Sequence, residues 1–102
     1  MGFYQIERLF EPGKLLVSQG VINSGIDYHW FIGRHFSGDW GNVSDYDAKE
    51  NRRAIMAGEA VLSQYYVDLP SGASEMLCII TETSIHTVVF FLNESPVPHE
   101  QS

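Results

Sequence analysis

After Gly58 the sequence changes its hydrophobic period, and this change restricts the fold more than any other feature. Ala60, Leu62, Gln64 and Tyr66 alternate with Val61, Ser63, Tyr65 and Val67, the pattern of a strand with apolar groups on both faces. Pro70-Ser71-Gly72 carries turn chemistry, Glu75 to Thr81 reads as a second strand, Glu82-Thr83-Ser84 as a second turn, and Ile85 to Asn93 as a third strand. Parallel neighbours need a crossover of about a dozen residues or more, so two short connections in succession imply an antiparallel meander. The middle strand of that meander is expected to be the most buried.

The part before Gly58 is helical in its second half. Ser44 followed by Asp47 resembles a capping box, and Asp45 and Asp47 sit in the first turn, where the helix dipole favours negative charge. A helix is therefore predicted from Asp45 to about Ala57, stopping at Gly58. A shorter helix is expected from Tyr28 to His35, capped by Asp27, with Tyr28, Phe31 and Ile32 on its apolar face and Trp30 widening it. Gly33 weakens that helix. Tyr4 to Phe10 reads as a strand, Glu11-Pro12-Gly13 as a turn, and Lys14 to Gln19 as a short helix closed by Gly20. Leu15, Leu16 and Val17 suit a strand equally well. Val21 to Gly25 reads as a loop.

Strand, helices and three further strands in that order give an α+β domain over residues 1–93. A small antiparallel sheet (the C-terminal meander plus the N-terminal strand) has helices covering one face. Residues 94–102 read as a polar, flexible tail.

Charge and cysteine content narrow the function classes. A net charge of −7 argues against nucleic acid as a partner, because phosphate binding draws on Lys and Arg. Arg34, Arg52 and Arg53 form the one candidate basic patch. The single cysteine, Cys78, lies inside an apolar run and reads as a small hydrophobe, and one cysteine fits a reducing cytoplasm. No apolar run is long enough to span a bilayer, so no membrane role is expected.

Special residue types concentrate between His35 and Asn51, where Gly38 and Gly41 enclose Asp39-Trp40 ahead of the helix carrying Asp47 and Asn51. Carboxylates with an imidazole can bind a divalent cation, but the spacing of His35 and Asp39 is weak on its own. The plainer reading has Asp39 accepting backbone N–H bonds within its turn, Trp40 anchoring the loop and Asp47 capping the helix. Asp47 and Asn51, one turn apart, then bond each other or hold the loop. No nucleophile elbow, phosphate loop or paired-cysteine spacing occurs, and no cofactor or metal is implied. Tyr65-Tyr66 and Phe90-Phe91 place one aromatic on each side of the sheet. With helices on one side only, these four become candidate interface residues for a partner or a second copy, and a homo-oligomer is expected.

One resemblance follows from the residues. Arg34-His35-x-x-Gly38-Asp39-Trp40-Gly41, Asp47-x-x-x-Asn51-x-x-Ala54, Leu62-Ser63-x-Tyr65, Ile80-Thr81-Glu82 and Thr87-Val88-Val89 resemble a family of small bacterial "plasmid-related" proteins carried on mobile elements. Some of these are labelled type I restriction subunits. The resemblance spans about Arg34 to Leu92 and supplies no reaction. It implies a non-enzymatic accessory or protein-interaction protein from a mobile genetic element, acting on a host or element-encoded protein, with anti-defence as one form. Two other classes stay open: a small metal-dependent hydrolase or nuclease using His35, Asp39 and Asp47, and a small-ligand module with Trp40 and Tyr65 lining a pocket.

Overall fold

The structure, a computed structural model, describes residues 8–94. Three helices and a four-stranded mixed sheet make up an α+β fold. In chain order the elements are β1 (Lys14–Val17), α1 (Gln19–Ser24), α2 (Tyr28–Phe36), α3 (Asp45–Ala57), β2 (Val61–Asp68), β3 (Ser74–Glu82) and β4 (His86–Phe91). The meander is present as the alternation implies, with Thr81 paired to both Val61 and Thr87, and Ile79 to both Ser63 and Val89. The spatial order is β1-β4-β3-β2. β1 enters beside β4 in parallel, Leu16 opposite Val88, which the long helical crossover between β1 and β2 permits. The sheet is therefore mixed, with β3 and β4 both interior.

The N-terminal third departs from its sequence reading. The expected strand from Tyr4 to Phe10 lies largely outside the described residues, and its end, Arg8 to Phe10, is irregular. Lys14 to Gln19 is not a helix: Leu15-Leu16-Val17 extend along β4, gaining a ladder. The helix starts later because Ser18 is its cap, its Oγ accepting from the Val21 N–H at 3.1 Å. Val21 to Gly25 is accordingly not a loop but most of α1, and Val21 is fully buried. Gly20 lies inside the first turn, where a Cβ would collide with the Glu94 carboxylate. That carboxylate accepts from Ser18 Oγ at 2.7 Å and from the Phe91 N–H at 2.8 Å, so Glu94 closes the end of β4, and the rest of the expected tail, residues 95–102, lies outside the described residues.

All three helices pack on one side of the sheet. Val21 of α1 and Phe31 and Ile32 of α2 join Tyr65, Val67, Leu77, Ile79, Val89 and Phe91 in the larger hydrophobic cluster. Phe10, Phe36, Trp40, Ala54 and Val61 form the second. α3 is bounded as expected: Ser44 Oγ accepts from the Asp47 N–H at 3.0 Å, and Gly58 ends it. Asp27 stands at the cap position of α2 without a side-chain capping bond. Trp30 is 65 % exposed and does not widen the buried face. Two residues along a helix is a turn of about 200° from Tyr28, which points Trp30 to solvent.

Candidate functional site

The segment from His35 to Asn51 is built around one exposed edge of the sheet, the outer side of β2. An unpaired edge presents a row of backbone groups to any passing strand. Here the row is covered. Asn51 reaches across from α3, its Nδ2 donating to Leu62 O at 2.7 Å and its Oδ1 accepting from the Leu62 N–H at 3.0 Å. Next along, Trp40 O accepts from the Gln64 N–H at 3.1 Å, and the Asn42 N–H donates to Gln64 O at 2.6 Å. Asn42 Oδ1 then accepts from the Tyr66 N–H at 3.2 Å. Gly41 runs beside Gln64 like a piece of parallel strand, and only glycine fits: its φ is +72°, and a Cβ would strike the Gln64 carbonyl and the Tyr65 ring. Asn51 thus holds β2 itself, not Asp47 or the glycine loop.

Asp39 is tied within its own turn. Its carboxylate receives both Arg34 Nε at 2.7 Å and Arg34 Nη2 at 3.2 Å, a bidentate pair on the surface. The hydrogen bond from Arg34 holds the Asp39 carboxyl below the usual carboxylate range and raises Arg34 in turn. The guanidinium lies 4.7 Å from the centroid of the Tyr65 ring, and Tyr65 Oη donates to Asp39 O at 2.6 Å. Burial pushes the Tyr65 phenol up to about 12. Trp40 packs its ring into the second cluster, and its indole N–H has no acceptor among the described residues.

His35 is at the centre of a buried polar chain. Its ring is fully buried, with Nδ1 2.5 Å from Ser63 Oγ and Nε2 2.9 Å from Thr81 Oγ1. Thr81 Oγ1 lies 2.8 Å from Thr87 Oγ1, which donates to Pro12 O at 2.8 Å. Desolvation lowers the imidazole pKa to about 3, so the ring is neutral: one nitrogen donates and the other accepts. Phe10 and Phe36 stand edge-on to the ring at 5.2 and 4.9 Å between centroids. A Ser–His contact invites a nucleophile reading, but neither side chain reaches solvent, so this contact knits α2 to β2, β3 and β4.

The five clustered residues therefore divide. His35, Trp40 and Asn51 are buried, Asp39 is paired on the surface, and Asp47 offers only its backbone N–H to a described partner. They do not form a ligand set: among the described residues no three His, Cys, Asp or Glu side chains are grouped to hold a metal. Trp40 and Tyr65 are packed inside. Sequence reasoning does not anticipate Ser63 and Thr81 as partners of His35, nor Thr87 behind Thr81. The signal was available, because each falls on the inward phase of its strand, where a hydroxyl needs a hydrogen-bond partner.

The aromatic doublets also divide, one residue to each side. Tyr65 and Phe91 are buried under the helices and are not interface residues. Tyr66, 69 % exposed, and the half-buried Phe90 face the other way. That outer face rises in levels from one end of the sheet to the other. Lys14, His86 and Glu82 form a charged end, followed by Leu16, Val88, Ile80 and Leu62. Phe90, Cys78 and Gln64 make the middle level. Leu92, whose N–H donates to Met76 O, then lies level with Met76 and Tyr66, and Asp68 stands beyond them. Leu16 and Leu92 are 43 % and 58 % exposed. None of these residues joins either hydrophobic cluster, and no described helix packs on them. Cys78 is nevertheless buried between its neighbours, and burial raises its thiol pKa.

A shallow groove at the far end of β2 is lined by Ile26, Asp27, Phe31, Tyr66, Asp68 and Pro70. No helix among the described residues is long and apolar enough to cross a membrane. Comparison with protein-family models, curated proteins and solved structures finds no match for this chain.

Proposed function

We propose that this protein is a non-enzymatic, cytoplasmic interaction protein that self-associates through the open face of its sheet. The observation that carries the reading is the run of apolar side chains on that face, from Leu16 to Tyr66, with all three described helices on the other side. Contiguous apolar surface rimmed by charge marks interaction sites on soluble proteins. The metal-dependent hydrolase reading loses its support for a geometric reason, since His35 is sealed from solvent and Asp39 is engaged by Arg34.

The mobile-element setting implied by the sequence resemblance fits an accessory role of this kind. In its anti-defence form, the acidic surface outside the open face engages a basic site on a host protein, and added salt weakens that capture. The test of the reading itself is light scattering on the full chain over a hundredfold dilution. A mass that rises from one to two copies with concentration supports it, and a single-copy mass throughout removes it.

A further inference from the structure

We infer that the open face is occupied by a second copy of this chain, packed sheet on sheet, with the two-fold axis running along the strands. The inference rests on the self-association proposed above and specifies its arrangement. Two sheets packed face to face keep their strands within about 30° of each other. A two-fold axis lying between them has two choices: it runs along the strands or across them.

With the axis along the strands, β4 lies over the partner's β3 and β1 over the partner's β2. Each level of one face then meets the same level of the other. Phe90, the largest side chain of the middle level, comes to rest over the partner's Cys78, the smallest, and Leu16 lies over the partner's Leu62. Alternating large and small residues across an interface is what lets two layers interdigitate. At the charged end, Glu82 faces the partner's His86, and Lys14 comes over the start of the partner's β2, one strand from that Glu82.

With the axis across the strands, the middle level meets itself. Phe90 would stand on Phe90 and Cys78 on Cys78, a clash beside a void. It would also take Glu82 away from the partner's His86 and set it over the Ser74 end of β3. Size and charge therefore favour the axis along the strands.

The area sets the strength of the contact. β4 matches the partner's β3 over four levels and the short β1 matches the partner's β2 over two, so at about 4.8 by 6.8 Å per position the flat overlap is roughly 400 Å² per copy. Two copies bury roughly 800 Å², the size of a weak, transient contact, so the dimer is reversible and concentration-dependent.

The arrangement is tested by mixing equal amounts of unlabelled and nitrogen-15-labelled full-length protein and joining amines to carboxylates with a zero-length carbodiimide. Mass spectrometry is expected to find heavy–light peptide pairs linking Lys14 to Glu82. Heavy–light pairs linking Lys14 to Glu94 instead would overturn it in favour of the axis across the strands. In parallel, sedimentation equilibrium at low salt is expected to show Lys14→Glu dimerising about fivefold more weakly, with Glu82→Lys restoring affinity in the double variant. Unchanged dimerisation in both variants overturns the arrangement but leaves self-association standing. A parent chain that stays a monomer removes the self-association reading itself.

Discussion

On the helix side of the sheet, Thr81 and Thr87 share a hydrogen bond and hold His35, all three sealed from water. One residue back along β3, and one residue on along β4, Ile80 and Val88 point the other way with no described helix over them. The hydroxyls and the imidazole are inside while the branched aliphatics are outside, the reverse of what hydropathy alone assigns. The difference shows what each side requires. Inward polar groups are tolerated because each has a partner, so their desolvation is compensated. Outward aliphatics have no such compensation among the described residues, and their natural complement is another apolar surface.

The comparison breaks first at His35. Replacing it with Ala removes a ring from the core and orphans the hydroxyls of Ser63 and Thr81, and urea unfolding should show a loss of about 3–5 kcal/mol. A loss below about 1 kcal/mol would mean the polar chain contributes little.

A pH titration of stability sharpens the same point. The folded-state pKa of His35 is depressed to about 3, against an ordinary value of 6.5. The unfolded chain therefore takes up the proton first. The penalty is absent above about pH 6.5, grows as the pH falls, and is complete near pH 3. It should reach about 2–3 kcal/mol by pH 4.5. A His35→Gln variant, which has no titrating ring there, should lose this part of the slope, and an unaltered slope would sink the explanation.

Next comes the edge cover. Asn51→Ala leaves both peptide groups of Leu62 without their partner and should cost about 2 kcal/mol. Asp39→Ala removes a surface ion pair and should cost about 1 kcal/mol or less. Equal effects would show that the His35–Asn51 stretch acts as one unit, contrary to the division described above.

Much of this was legible in the sequence, and the failures have physical causes. The meander and α3 were readable because alternation, the Ser44 cap and the Gly58 stop agree with one another. β1 and α1 were misplaced because the cap is Ser18, and because Gly20 serves the Glu94 carboxylate, 74 positions away in the chain, instead of ending a helix. Hydrophobicity adds Trp30 to the apolar face of α2, against its helical phase. Asn51 stood out by residue type and spacing. Its partner, the backbone of Leu62, could not be read because a main-chain group leaves no mark in sequence. The polar chain is hard to read because Ser and Thr on a strand suit the surface as well as a partnered interior.

The smallest effect on folding is expected on the open face. Tyr66→Lys should leave stability within about 0.5 kcal/mol, because the ring is mostly exposed, while weakening association. Variants that unfold the monomer would place Tyr66 in the core instead.

The central claim, that the outer face and not the helix side meets the second copy, is tested most directly by following methyl resonances of the full chain on dilution. The account predicts concentration-dependent shifts for Leu16, Leu62, Ile80 and Val88, with Val61, Ile79 and Val89 unmoved. Shifts confined to the helices, or none on the outer face at concentrations where light scattering reports a dimer, would contradict it.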